Sequence, residues 1–309
     1  MSDKRFIIAD VFTEQQFGGN QLAVFTDGTG LDTETMQNIA REMNYSETTF
    51  ILPPEAGCDF RLRIFTPAEE LPFAGHPLVG SGYVIVAEKM KDWSEPRTSV
   101  KIETGVGEII VNVETQNGKA GFSQMTQPLP VVKSTWTDIA RLAKALALEV
   151  SDIESTNLPA QLLFNGIPVL MIPVASLQAV EKIKVDFNAL EAISIEAGAK
   201  TVMAFTTETV TPTSTAHCRV FAPVEGILED AATGSANGPL GFYLVHHKLV
   251  KTEAITKIIS EQGFEMLRPS IINIEVDIDA SSNEVTGVRV GGGVVLSGYG
   301  AIHIAESSQ

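Results

Sequence analysis

The chain has 309 residues, 44% hydrophobic and 19% charged, which is ample apolar material for sizeable cores and long enough to favour two lobes over one. Lys and Arg total 22 against 38 Asp and Glu; the net charge of −16 opposes binding to nucleic acid or an anionic membrane but leaves room for a small anionic substrate. Two cysteines without C-x-x-C spacing exclude a disulfide framework, and no apolar run approaches the ~20 residues of a bilayer span, so a cytoplasmic protein is expected.

The N-terminus, MSDKRFIIADVF, runs straight into strand-like sequence and does not read as a signal peptide. Residues 5–12 and 22–25 are strands, separated by a Gly18-Gly19-Asn20 turn. Asp32 is a good N-cap for a helix to Met43, whose Met36, Ile39, Ala40 and Met43 recur at helical spacing. Strands follow at 48–52 and 59–66. After Gly75-His76-Pro77, residues 78–90 are apolar on nearly every face, which marks a helix buried all round. Strands are expected at 100–102, 108–113 and 120–125. In the second half, 137–148 reads as an amphipathic helix, 162–164 and 168–172 as short strands, and Asp186 as the cap of a helix ending near Gly198. Strands at 202–206 and 216–221 flank a Thr-rich loop, and 271–304 is strand-rich with a bend at Gly291-Gly292-Gly293.

A weak internal repeat organises this pattern. RIFTPAE from Arg63 is echoed by RVFAPVE from Arg219 at an offset of 156. AGHPLVGSGYVIV from Ala74 is echoed by TGSANGPLGFYLV from Thr233 at an offset of 159, so the second copy carries three extra residues. Each copy places an apolar helix after a Gly-rich turn, at Gly75-His76 and at Gly234-Ser235. Helix N-termini present unpaired N–H groups and partial positive charge. Two such ends facing one cleft are expected to hold a small anion from both sides.

Five ordered segments carry a resemblance: ADVFTEQQFGGNQLAVF, MNYSETTFILPP, RIFTPAEELPFAGHPLVGSGY, FAPVEGILEDAATGSANGPLGFYL and EQGFEMLRPS. Together they resemble the PhzF-like phenazine-biosynthesis family. The resemblance implies an α+β, diaminopimelate-epimerase-like fold of two pseudo-symmetric lobes, each a mostly antiparallel sheet or barrel wrapped round a central helix. The N-terminal lobe is expected over 1–117, completed by a last strand at about 295–309, and the C-terminal lobe over 118–294. It further implies a homodimeric, cofactor-free isomerase that shifts a proton on a small carboxylate, similar to trans-2,3-dihydro-3-hydroxyanthranilate isomerase. No metal is expected.

By position, the resemblance makes Glu47 the acid–base residue, with His76 and Asp230 assisting. Gly75, His76, Gly234, Ser235 and Asn20 are expected to bind substrate. Gln21 and Ala231 stand where the family commonly has proline, which bears on substrate identity. Two other readings are open. A racemase of the same fold needs a thiol on each face of the reacting carbon, and neither Cys58 nor Cys218 occupies those positions. A non-catalytic binding protein would have no need of a buried base.

Overall fold

A computed structural model of the chain describes residues 2–55, 57–282 and 284–304. Residues 305–309, expected to end the last strand, lie outside the described residues. In chain order the elements are β1 (Ser2–Val11), β2 (Asn20–Phe25), α1 (Thr33–Met43), β3 (Glu47–Leu52), β4 (Phe60–Phe65), β5 (Glu70–Leu71), α2 (Gly75–Ala87), β6 (Arg97–Thr104), β7 (Gly107–Gln116) and β8 (Lys119–Gln127). They continue as β9 (Val131–Trp136), α3 (Ile139–Leu146), α4 (Ser151–Glu154), β10 (Ala160–Phe164), β11 (Pro168–Pro173), α5 (Leu177–Glu181), α6 (Phe187–Ala197), β12 (Thr201–Thr206) and β13 (Ala216–Ala222). The last are β14 (Ile227–Asp230), α7 (Gly234–His246), β15 (Ile255–Gln262), β16 (Ser270–Ile278), β17 (Val285–Gly292) and β18 (Val294–Ile304).

The chain forms two compact units: Met1–Thr126 with Gly291–Gln309, and Gln127–Val290. Within the first, β1 pairs antiparallel with β18 and β2, and β2 runs parallel to β3 across the α1 crossover. Strand β3 is antiparallel to β4, which pairs antiparallel with β5 and parallel with β6; β6 is antiparallel to β7. Within the second, β10 pairs antiparallel with β9 and β11, and β11 runs parallel to β12. Strand β12 is antiparallel to β13, which pairs antiparallel with β14 and parallel with β15; β15 is antiparallel to β16. The two pairing patterns match strand for strand, with β9 in the place of β18; β9 directly precedes β10, whereas β18 returns from the far end of the chain to pair with β1. This is the mostly antiparallel, duplicated α+β fold expected.

Side chains repeat with the backbone. Arg63 on β4 grips Glu70 on β5 through two parallel hydrogen bonds, Nε to Oε1 at 2.7 Å and Nη2 to Oε2 at 2.5 Å. Arg219 on β13 grips Glu229 on β14 in the same fork, both bonds at 2.8 Å. Each guanidinium also covers a phenylalanine ring, Phe65 and Phe221 respectively. The offset grows from 156 to 159 between Glu225 and Glu229, so the three extra residues follow directly on the 3-10 turn at Pro223–Glu225. Glu70 is therefore a structural partner of Arg63.

Helices α2 and α7 are buried along almost their whole length, as their all-apolar faces require. Helix α2 packs against β1, β2, β3, β6 and β7, so the sheet of its unit curves round it; α7 packs against β11 and β16. Glycine permits the close approach. A Cβ on Gly82 would lie 2.5 Å from Val111 on β7, and one on Gly241 would lie 2.6 Å from Ile274 on β16. Helix α2 starts at Gly75, three residues earlier than expected, because Pro77 fits its first turn.

Candidate active site

The residue group of the first unit is assembled by local rules. Helix α1 is capped by Asp32, whose side chain accepts from Thr35 N–H, and ends at Asn44 in the left-handed region (φ 53°). Asparagine tolerates that conformation. The reversal delivers Ser46 and Glu47 directly into β3, in register with Leu22 on β2. Side chains two apart on a strand share a face. Thr49 meets Ser81 of α2 through a 3.0 Å hydroxyl contact, so Glu47 also points to the helix side, nearer its N-terminus.

There it meets His76. The Glu47 Oε2 atom lies 3.5 Å from His76 Nε2, and His76 Nδ1 lies 3.3 Å from the Asn20 amide nitrogen. Glu47, His76 and Asn20 are all buried. Burial drives the imidazole pKa down to about 3, against the opposing pull of a hydrogen bond with the Gln21 backbone. The ring is therefore neutral near pH 7, and its contact with Glu47 is not an ion pair. At the α2 N-terminus, Ala74 provides no side-chain cap. The first turn consequently offers backbone donors beside Glu47.

In the C-terminal unit Asp230 ends β14, opposite Val220, and α7 begins four residues later. Asp230 and Ser235 are both buried. The Asp230 Oδ2 atom accepts from the Thr233 hydroxyl at 2.5 Å. Pro239 sits inside α7 and has no N–H, so the Ser235 carbonyl four residues earlier loses its helical donor. The Asn165 amide replaces it at 2.9 Å and also reaches Gln127 Oε1. The Gln127 amide in turn donates to the Gly234 carbonyl at 2.8 Å, and Gln262 bonds the turn from the other side.

Of the residues singled out in sequence, the structure brings Asn20, Glu47, Gly75 and His76 together in one unit. It brings Asp230, Gly234 and Ser235 together in the other. Sequence reasoning missed Thr233, Gln127, Asn165 and Gln262, the polar residues that hold the second group. Pro239 inside an otherwise helical pattern was the available signal, because it demands a replacement donor.

Neither cysteine is placed for racemase chemistry. Cys58 precedes β4 and contacts Glu108, and burial followed by that carboxylate raises its pKa. Burial pushes the Cys218 thiol up to about 12. A thiol held protonated is a poor base. Among the described residues, no helix is long and apolar enough to cross a membrane.

The chain thus has a duplicated α+β fold with a buried carboxylate beside a neutral imidazole at the start of a buried helix. The phenazine biosynthesis-like protein family model matches residues 9–300, and the chain belongs to that family. It is 36% identical to trans-2,3-dihydro-3-hydroxyanthranilate isomerase of Pseudomonas fluorescens over 303 residues, covering 96% of this chain and 98% of that one. The crystal structure of a PhzF-family phenazine biosynthesis protein from Bacillus anthracis is similar at TM-score 0.88 and 27% identity, covering 98% and 100% of the two chains. A probable proline racemase from Agrobacterium radiobacter K84 shares the fold at TM-score 0.69 and 11% identity, over 98% of this chain and 93% of that one. The chain is an isomerase of this family.

Proposed function

We propose that Glu47 is the base of a cofactor-independent proton shift on a small carboxylate substrate, of the kind that names the Pseudomonas relative. The observation that carries this is the buried Glu47 carboxylate, 3.5 Å from an imidazole that burial keeps neutral. In an allylic or dihydroaromatic acid, the Glu47 carboxylate takes a proton from one carbon. The released electron pair shifts through the adjacent double bond, and the carbon at its far end takes the proton back from Glu47. The carboxylate is regenerated and nothing is oxidised or reduced, so the step calls for no cofactor.

The other residues orient and stabilise. His76 exchanges hydrogen bonds with a polar substituent, and the open first turn of α2 receives negative charge. Asp230, Ser235 and the Gly234 turn bind substrate in this reading, as do Asn20 and the Gly75 turn. The active form in this reading is a cytoplasmic homodimer, which sedimentation of the pure protein checks.

The test is turnover of trans-2,3-dihydro-3-hydroxyanthranilate in deuterated water. The wild-type chain is expected to place deuterium on the receiving carbon in part, as the protonated base exchanges with solvent. Glu47→Gln keeps shape and burial but cannot accept the proton, and a loss of roughly 10²–10⁴-fold or more in kcat is expected. Near-normal turnover by the Gln variant removes Glu47 from the mechanism.

A further inference from the structure

Behind Asp230 lies a directed chain of hydrogen bonds. Gln262, at the end of β15, is fully buried. Its Nε2 donates to the Asp230 carbonyl at 2.7 Å and to the Thr233 hydroxyl oxygen at 2.9 Å. Its Oε1 accepts from the Thr233 N–H at 3.0 Å and from the Asn237 amide at 3.3 Å. These partners fix the orientation of the Gln262 amide. Reversing it would set oxygen against the Asp230 carbonyl and NH2 against the Thr233 N–H.

The fixed amide then fixes the hydroxyl. The Thr233 oxygen accepts from Nε2, so its single proton is left to donate, and it faces Asp230 Oδ2 at 2.5 Å. That distance belongs to a hydrogen bond onto a charged acceptor. We infer that Thr233 and Gln262 are positioning residues that hold Asp230 as an oriented carboxylate, Gln262 acting through Thr233. The inference rests on the reading that Asp230 contacts substrate. It adds how the second copy of the repeat prepares its acid, and it gives the Thr of A-T-G-S a role beyond helix capping. In α7 Thr233 is the N-cap residue, yet its hydroxyl makes no cap bond and is turned to Asp230 instead.

The ionisable neighbours on the elements packed here have partners of their own. Cys218 on β13 is raised to about 12. Glu261 and Glu265 flank His217, and their pKa values are lowered while that of His217 is raised. Arg219 is held by Glu229 and stays charged.

The experiment is a 13C-carboxyl NMR titration of protein labelled at aspartate, with the Asp230 signal assigned by its absence in Asp230→Asn. Removing the hydroxyl with the isosteric Thr233→Val is expected to raise the Asp230 midpoint by about one to two pH units, the equivalent of losing one hydrogen bond to a charged group. Thr233→Ser, which keeps the donor, should return it to the wild-type value. In Gln262→Glu the new carboxylate competes for the hydroxyl proton, and the midpoint should also rise. An unmoved midpoint in a folded Thr233→Val protein overturns the inference, as does a rise that Ser fails to reverse. Turnover by Asp230→Asn is a separate arm. Wild-type kcat/KM there would remove Asp230 from the reaction, while the NMR result would still decide whether Thr233 and Gln262 orient it.

Discussion

His76 and Glu47 meet at 3.5 Å without forming an ion pair, because burial holds the imidazole pKa near 3. The sign of the consequence for stability follows. The unfolded chain binds a proton at this histidine below about pH 6.5, whereas the folded chain does so only near pH 3. His76 therefore contributes stability above pH 6.5 that is lost progressively as the pH falls toward 3. The His76→Gln variant should show a shallower fall of Tm between pH 6.5 and 4 than the wild type. In the wild-type protein the His76 imidazole resonances should not titrate between pH 5 and 8; a midpoint near 6.5 would contradict the buried, neutral ring.

His217 should behave in the opposite way. It is buried, with Nδ1 3.1 Å from Glu261 and Nε2 2.9 Å from Glu265, and only an imidazolium can donate to both. Burial alone would lower its pKa, but hydrogen bonds and charge from Glu265 and then Glu261 outweigh this and raise it. Its stabilising contribution is complete below about pH 6.5 and is lost as the pH rises through the higher folded value. At the matching register of the first unit, Arg61 lies opposite Glu103 and pairs with Glu55. Replacing His217 by Gln should lower Tm at pH 6 and flatten its decline toward pH 9. An unchanged slope would show that the cluster does not carry the proton.

The kinship of Asn165 and Pro239 can be measured as a coupling. Asn165 supplies the donor that Pro239 cannot give to the Ser235 carbonyl. Stranding that carbonyl by Asn165→Ala should cost about 1–3 kcal/mol. In a Pro239→Ala background the helix regains its own N–H, and the cost should shrink. Denaturant unfolding of the four proteins gives the coupling. Strict additivity would mean that Asn165 does not stand in for the missing backbone bond.

Close packing predicts the fate of the paired glycines. A methyl at Gly82 would enter the space of Val111, and one at Gly241 that of Ile274. Each Gly→Ala change should destabilise its unit by about 1–3 kcal/mol through overpacking, outweighing the gain in helix propensity. Gly82→Ala combined with Val111→Ala should recover part of the loss. If Gly82→Ala alone proves stabilising in thermal melts, the helix does not sit this close to β7.

Sequence alone was enough for the repeat, the two buried helices and the helix-then-strand order on either side of Glu47. Each rests on a local rule: hydrophobicity on all faces, a glycine-rich start, an N-cap before a stripe at helical spacing. The ordered motifs also indicated the family and pointed to Glu47, His76 and Asp230. Other features became visible only in the fold. Arg63 needed β5 to find Glu70, although β5 is two residues long and carries no strand signal. The neutrality of His76 follows from burial, which no motif encodes. Gln127, Asn165 and Gln262 approach the Asp230–Ser235 turn from chain positions 29 to 107 residues away. Buried polar groups must find partners wherever the tertiary structure brings them, and hydrophobic periodicity carries no information about which distant amide will arrive. Local sequence thus determined where the reactive side chains sit along the chain, and only packing decided their charge, their orientation and the residues that hold them.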